Sequence, residues 1–186
     1  MAAALLLVDP QCDFIDGALP VPGAVHAMDS LAGWLLQHPG RYDKILVSCD
    51  FHPADHCSFT SYGGSWPEHC VRDTPGAAIW PALAAALEKC DASPTILYKG
   101  QHSWREEYSI FRNQQERERL NLLLAGDFVV EVCGIAGDVC VLNTLADAVT
   151  SFGAHRFRLL AGFSPSLDGG TRLAAFCREA GVPMLP

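Results

Sequence analysis

Two hydrophobic periods alternate along this chain. Short apolar runs recur as Leu5-Leu6-Leu7-Val8, Ile45-Leu46-Val47-Ser48-Cys49, Thr95-Ile96-Leu97-Tyr98 and Phe128-Val129-Val130-Glu131-Val132-Cys133. Runs of this length and composition read as buried strands. They predict strands over 3–8, 44–49, 95–99 and 127–133, followed by 155–160 and a short one within 182–185. Apolar residues at helical spacing predict helices over 24–37, 79–90, 114–125, 139–152 and 169–181. Strands alternating with helices imply an α/β fold: a mostly parallel sheet, right-handed crossovers and helices on both faces, as a three-layer sandwich. No repeat or linker interrupts residues 1–186, so a single domain is expected. One segment breaks the rhythm. Residues 50–78 read as a long loop, and structureless loops of that length are unusual unless they carry function.

The ends of the predicted strands are chemically loaded. The first run ends in Asp9, the second in Asp50, the third in Lys99, and the fourth leads through Gly134-Ile-Ala-Gly-Asp-Val-Cys140 into a helix. In open α/β sheets, ligands bind outside the carboxyl ends of the strands. Cys140 falls where a strand feeds a helix, and helix N-termini lower thiol pKa values and hold developing oxyanions. Taken alone, Cys140 is more simply a small buried hydrophobe and each Asp a turn residue. Four such residues at four strand ends favour a shared site.

The long loop supplies a second constellation. Asp50-x-His52 places a carboxylate and an imidazole on one side of an extended segment, and His69 returns through a Gly- and Pro-rich stretch. One Asp and two His suit a first-row divalent metal with open positions. Two plainer readings stand beside it: a closed site using Cys57 or Cys70, and ordinary loop histidines.

Composition narrows the partners. The chain has 186 residues and a net charge of −8, with no basic stripe. That argues against nucleic acid or an anionic membrane surface. The eight cysteines form no CxxC pair, so reduced thiols in the cytoplasm are expected. The N-terminal apolar run lacks a basic flank and reads as a strand, not a signal. Phosphate-loop, dinucleotide-binding, serine-hydrolase and zinc-deaminase motifs do not occur.

The segments Asp9-Pro-Gln-Cys-Asp-Phe14, Asp50-Phe-His52-Pro, Ser65-Trp-Pro-Glu-His-Cys70, Lys99-Gly and Gly134-Ile-Ala-Gly-Asp-Val-Cys-Val141 resemble nicotinamidases/pyrazinamidases of the isochorismatase-like cysteine hydrolase superfamily. The resemblance runs in order over nearly the whole chain. It implies a flavodoxin-like sandwich and metal-dependent hydrolysis of nicotinamide, and of pyrazinamide, through a cysteine acyl-enzyme. It further implies Cys140 as nucleophile, Asp9 as proton acceptor and donor, and Lys99 as the third triad member. Ala136 and Cys140 would supply oxyanion-hole N–H groups, with a cis peptide before Ala136. Asp50, His52 and His69 would hold one divalent ion, zinc foremost, with iron or manganese as alternatives. Phe14 and Trp66 would sandwich the ring, with Tyr108 lining the pocket.

The chain departs from the family's pattern at Gly137, where Thr is frequent, and at Val139, where an aromatic or His is frequent. The first is expected to loosen the turn, the second to widen or dry the pocket wall. His56 is expected beside the metal site, not as a ligand, with the Ser58 hydroxyl free to hold a metal-bound water. The competing enzyme reading is a related cysteine hydrolase acting on another small aromatic or carbamoyl amide. A metal-binding scaffold is the non-enzyme reading. A monomer and a homo-oligomer are equally compatible with the sequence.

Overall fold

The computed structural model of the chain describes residues 2–186. Six strands form one all-parallel sheet: β1 (Ala2–Val8), β2 (Lys44–Asp50), β3 (Pro94–Lys99), β4 (Phe128–Gly134), β5 (Phe157–Leu160) and β6 (Met184–Leu185). Their order across the sheet is β3-β2-β1-β4-β5-β6. The chain thus builds outward from β1 to one edge, then returns and builds from β4 to the other. The switch point lies between β1 and β4, where doubly wound sheets place their crevice.

Alternate residues of the central strands feed opposite layers. Leu5 and Leu7 pack with α2 (Ala24–Gln37) and α3 (Pro81–Leu87) through Met28, Leu31, Leu35, Leu83 and Leu87. Ala4, Leu6 and Val8 face α4 (Gln114–Leu123), α5 (Leu142–Phe152) and α6 (Thr171–Ala180) through Leu120, Leu145 and Leu173. Strands buried on both faces explain the continuous apolar runs. The expected three-layer sandwich is what forms, and its sheet is wholly parallel.

Several element boundaries differ from expectation. A short helix α1 (Cys12–Ile15) follows β1; it is too brief to leave a periodic signal. The helix expected over 79–90 spans Pro81–Leu87, starting at a proline suited to the first helical turn. The helix expected from 139 begins instead as a π-turn, Gly137–Val141, that leads into α5. A 3-10 turn at Ala154–Arg156 delays β5. Residues 51–80 are irregular but tied down. His52 bridges Val71, Phe59 bridges Trp66, and 3-10 turns occur at Thr60–Tyr62 and Pro75–Ala77.

Among the described residues no helix is long and apolar enough to cross a membrane.

Candidate active site

Strand register brings three of the four strand-end residues together. In the β2–β3 pair, Asp50 lies opposite Lys99, and in the β1–β2 pair Val8 lies opposite Ser48. Asp9 follows immediately, with φ at 47°, a left-handed conformation that costs about 1–2 kcal/mol for a residue with a Cβ. Its N–H donates to the Ser48 carbonyl at 2.9 Å and the Ser48 hydroxyl donates to Asp9 Oδ1 at 2.7 Å, so both ends of the residue are held. Lys99 Nζ lies 2.8 Å from Asp9 Oδ2, 2.5 Å from Asp50 Oδ1 and 3.6 Å from Cys140 Sγ. Asp9 Oδ2 takes no directed hydrogen bond; its partner is the ion contact with Lys99. Asp9 and Lys99 are fully buried, and Cys140 is 6 % exposed.

Cys140 reaches this group from the far side of the switch point. β1 and β4 pair through Val8 and Gly134. Gly134 has φ at 132°, and a Cβ there would fall 2.0 Å from the Val8 carbonyl oxygen, so glycine is required for the chain to leave β4 so close to β1. The Ile135–Ala136 peptide is cis, as the resemblance implies. The π-turn then carries Cys140 to within 4.8 Å of Asp9 and Asp50 ligand atoms.

These contacts set the protonation states. Burial pushes Asp9 up, partly countered by Lys99. Burial alone would also raise Asp50, but Lys99 and His52 beside it hold its carboxyl well below the usual carboxylate range. Burial disfavours the Lys99 charge, yet Asp50, Asp9 and Cys140 outweigh it and keep the ammonium charged. Cys140 differs from the expectation of a lowered thiol. Burial holds its pKa well above the ordinary value; Lys99 pulls it down while Asp9 and Asp50 push it up. Desolvation is the larger influence, with Lys99 the one neighbour that favours the thiolate.

The second constellation also assembles. Asp50, His52 and His69 offer ligand atoms that all lie within 4.8 Å of one another, and all three residues are buried. The loop returns His69 because the His52 N–H donates to the Cys70 carbonyl at 3.0 Å and the Arg72 N–H to the His52 carbonyl at 2.8 Å. His52 Nδ1 pairs with the Gly100 carbonyl at 2.9 Å, and His69 Nδ1 with the Pro67 carbonyl at 2.7 Å. Carbonyls that hold Nδ1–H leave both Nε2 lone pairs facing inward, the tautomer a metal ligand needs. Asp50 uses Oδ1 for Lys99 and keeps Oδ2 3.6 Å from His52 Nε2. This donor set fits a divalent cation.

His56 is already engaged at both nitrogens. Nδ1 pairs with the Ser58 hydroxyl at 2.7 Å and Nε2 with the Arg105 carbonyl at 3.0 Å, while its ring stacks on His52 with centroids 3.9 Å apart. Burial and the His52 neighbour lower its pKa to about 4, so it is a neutral packing partner. The Ser58 hydroxyl pairs with His56 Nδ1.

Phe14, Trp66 and Tyr108 line one cleft with Cys140, Ala136, Asp50 and His69. Trp66 Nε1 donates to the Tyr108 hydroxyl at 3.1 Å, which seats Tyr108 in the cleft wall. Val139 lines the same cleft. Gly137 also gives room to a neighbouring segment, since a Cβ there would strike the Ser166 hydroxyl and the Ser164 carbonyl.

Four contributors were not singled out from the sequence. Gln11 brackets Asp50 by accepting from its N–H at 2.7 Å and donating to its carbonyl at 2.8 Å. Ser48 anchors Asp9, and Glu106 lines the cleft. A Cβ on Gly100 would fall 2.3 Å from His52 Cε1. Ser48 alone left a signal, as a polar residue inside an apolar strand.

No family model matches the chain. The nicotinamidase/pyrazinamidase of Mycobacterium tuberculosis is 36% identical over 192 aligned residues, covering 98% of this chain and 97% of that protein. The zinc complex of the Pyrococcus horikoshii pyrazinamidase superposes with a TM-score of 0.82 at 28% identity, covering 100% of this chain and 99% of that one. The nicotinate complex of PnC1 from L. infantum superposes with a TM-score of 0.82 at 27% identity, covering 99% of this chain and 92% of that one. Likeness of this extent in sequence, matched by likeness in fold, places the chain in the nicotinamidase/pyrazinamidase family.

Proposed function

We propose that this protein is a metal-dependent amidase that hydrolyses nicotinamide to nicotinic acid and ammonia, and pyrazinamide likewise, with residues 1–186 acting as one cysteine-hydrolase domain. The observation that carries the reading is the meeting of Asp9, Lys99 and Cys140 at the β1–β4 switch point, with Asp50, His52 and His69 beside them. The nicotinate-bound and zinc-bound relatives support the substrate and the ion. The product belongs to NAD salvage.

Each residue has a role that follows from its surroundings. Asp9 Oδ2, free of directed hydrogen bonds, takes the Cys140 proton. Cys140 Sγ then attacks the amide carbonyl, forming the C–S bond. The N–H groups of Ala136 and Cys140 receive the developing oxyanion; the Ala136 N–H has no acceptor among the described residues. Asp9 returns the proton to the departing nitrogen, so ammonia leaves and a thioester remains. Water attacks the thioester with Asp9 as base, releasing nicotinic acid and restoring the thiol. Lys99 stays charged throughout and holds Asp9 against its pull toward protonation.

Asp50, His52 and His69 would hold the divalent ion, zinc by preference for two imidazoles and a carboxylate, with iron and manganese as workable substitutes. When bound, the ion supplies a Lewis-acid contact for the pyridine nitrogen. Phe14 and Trp66 stack on the ring faces and Tyr108 closes the wall. Small neutral amides are the partners, and cytoplasmic chemistry suits the reduced cysteines.

Ammonia release from nicotinamide, pyrazinamide and benzamide, with metal content measured on the same sample, tests this. Benzamide has the ring and the amide but no ring nitrogen, so it should turn over far more slowly. Equal rates on benzamide would remove the metal from substrate orientation. No ammonia from either heteroaromatic amide would overturn the assignment.

A further inference from the structure

Leu167 is an apolar side chain that is 42% exposed, yet it lines the catalytic cleft. Its segment is fastened to the nucleophile turn. The Gly137 N–H donates to the Pro165 carbonyl at 2.7 Å. Asp138, 4% exposed, accepts from the Leu167 N–H at 2.9 Å and the Asp168 N–H at 3.2 Å. A Cβ on Gly137 would fall 2.2 Å from Ser166 Oγ and 2.6 Å from the Ser164 carbonyl oxygen, so the segment closes on the turn where only glycine leaves room. Neither Gly137 nor Asp138 is needed for proton transfer at Cys140. Together they decide where Leu167 stands.

The cleft is sided. Asp50 and His69 mark the metal end and Ala136 and Cys140 the amide end, and the Asp50 carboxylate lies within 4.8 Å of Cys140 Sγ, so both ends sit on one side of the cleft. Leu19, Val21, Val139 and Leu167 are the other aliphatic residues that complete the lining. The edge of a six-membered ring that is remote from both its nitrogen and its carboxamide meets a wall of this kind.

We propose that Leu167, positioned by Asp138, is a specificity-determining residue: it limits the enzyme to single-ring carboxamides unsubstituted on that remote edge. The inference rests on the amidase reading above. An apolar wall discriminates one added carbon by about 10- to 200-fold.

The probes are nicotinamide and 5-methylnicotinamide, compared by kcat/KM in the parent and in Leu167→Ala, Leu167→Phe and Asp138→Ala. The parent should favour nicotinamide. In Leu167→Ala the ratio of 5-methylnicotinamide to nicotinamide should rise at least about 10-fold, with the nicotinamide loss falling on KM. Leu167→Phe should lower the ratio. Asp138→Ala should shift it as Leu167→Ala does, and the double variant should go no further than Leu167→Ala alone. A merely structural Asp138 would depress both substrates equally and leave the ratio unmoved, removing Asp138 from the proposal. An unchanged ratio in both Leu167 variants would overturn the proposal, whether or not Asp138→Ala folds. The same ratio is read without turnover from the affinities of nicotinate and 5-methylnicotinate. A parent that is inactive on nicotinamide would therefore count against the amidase reading, while the wall is still judged by binding.

Discussion

Replacing Lys99 with Met keeps the length of the side chain and removes its charge. Lys99 Nζ stands 2.8 Å from Asp9 Oδ2 and 2.5 Å from Asp50 Oδ1. At an effective dielectric near 20, each contact carries roughly 6–7 kcal/mol of gross attraction. Desolvation of three charges offsets most of that. What remains measurable is the penalty for leaving two buried carboxylates unpaired, about 3–5 kcal/mol. In a protein of this size that lowers Tm by roughly 6–20 °C. The loss should depend on pH. Without the ammonium, burial and Asp50 drive Asp9 further up. A carboxyl with a raised folded pKa favours the fold while protonated, fully so below its unfolded value of about 4. That contribution fades as pH rises through the folded pKa. The deficit of Lys99→Met is therefore largest at neutral and alkaline pH and shrinks on acidification. Asp50 works in the opposite sense in the parent. Its lowered pKa gives stability that is complete above about 4 and lost as pH falls toward the folded value. Urea unfolding of metal-free parent and variant between about pH 5 and 8 reads the difference. A deficit under about 1 kcal/mol, or one constant with pH, would refute the argument that Lys99 compensates buried charge.

Other perturbations probe the separate parts. Cys140→Ala should abolish ammonia release while circular dichroism and metal content stay at parental values; residual turnover would remove the covalent step. In Lys99→Met, alkylation of Cys140 should require higher pH, because the thiolate loses its stabilising cation; an unshifted profile of alkylation rate against pH would count against that. His52→Ala and His69→Ala should both lose the metal, and His56→Ala should retain it because both His56 nitrogens are already engaged; elemental analysis after dialysis distinguishes them. Gly100→Ala adds a Cβ at φ 65° against the His52 ring, so metal affinity should fall about 10- to 100-fold through the displaced carbonyl that orients that ring; chelator competition measures it, and parental affinity would show that the carbonyl does not matter.

The layered fold was legible because burial on both faces imposes continuous apolar runs on the strands, and those runs stand out against the helices. The strand-end residues Asp9, Asp50 and Lys99 were legible for the same reason, since a run that stops in a polar residue marks where the sheet opens, and Cys140 was legible from the strand-to-helix turn that follows β4. The sequence also determined the residue types that a thiol amidase and a divalent ion require. It did not determine their distances, since strand order and register are long-range properties. Only the placement of β4 beside β1 brings Cys140 to Asp9, and only the β2–β3 register sets Lys99 against Asp50. The thiol's raised pKa was likewise hidden, because desolvation depends on everything packed around Sγ and local helix geometry could not report it. The same holds for Gly137. Local conformation says only that glycine frees this turn; the packed structure adds that a Cβ there would strike a segment nearly thirty residues later. Chain-local chemistry is written in order along the sequence; burial, register and close approach arise only when distant segments share one volume.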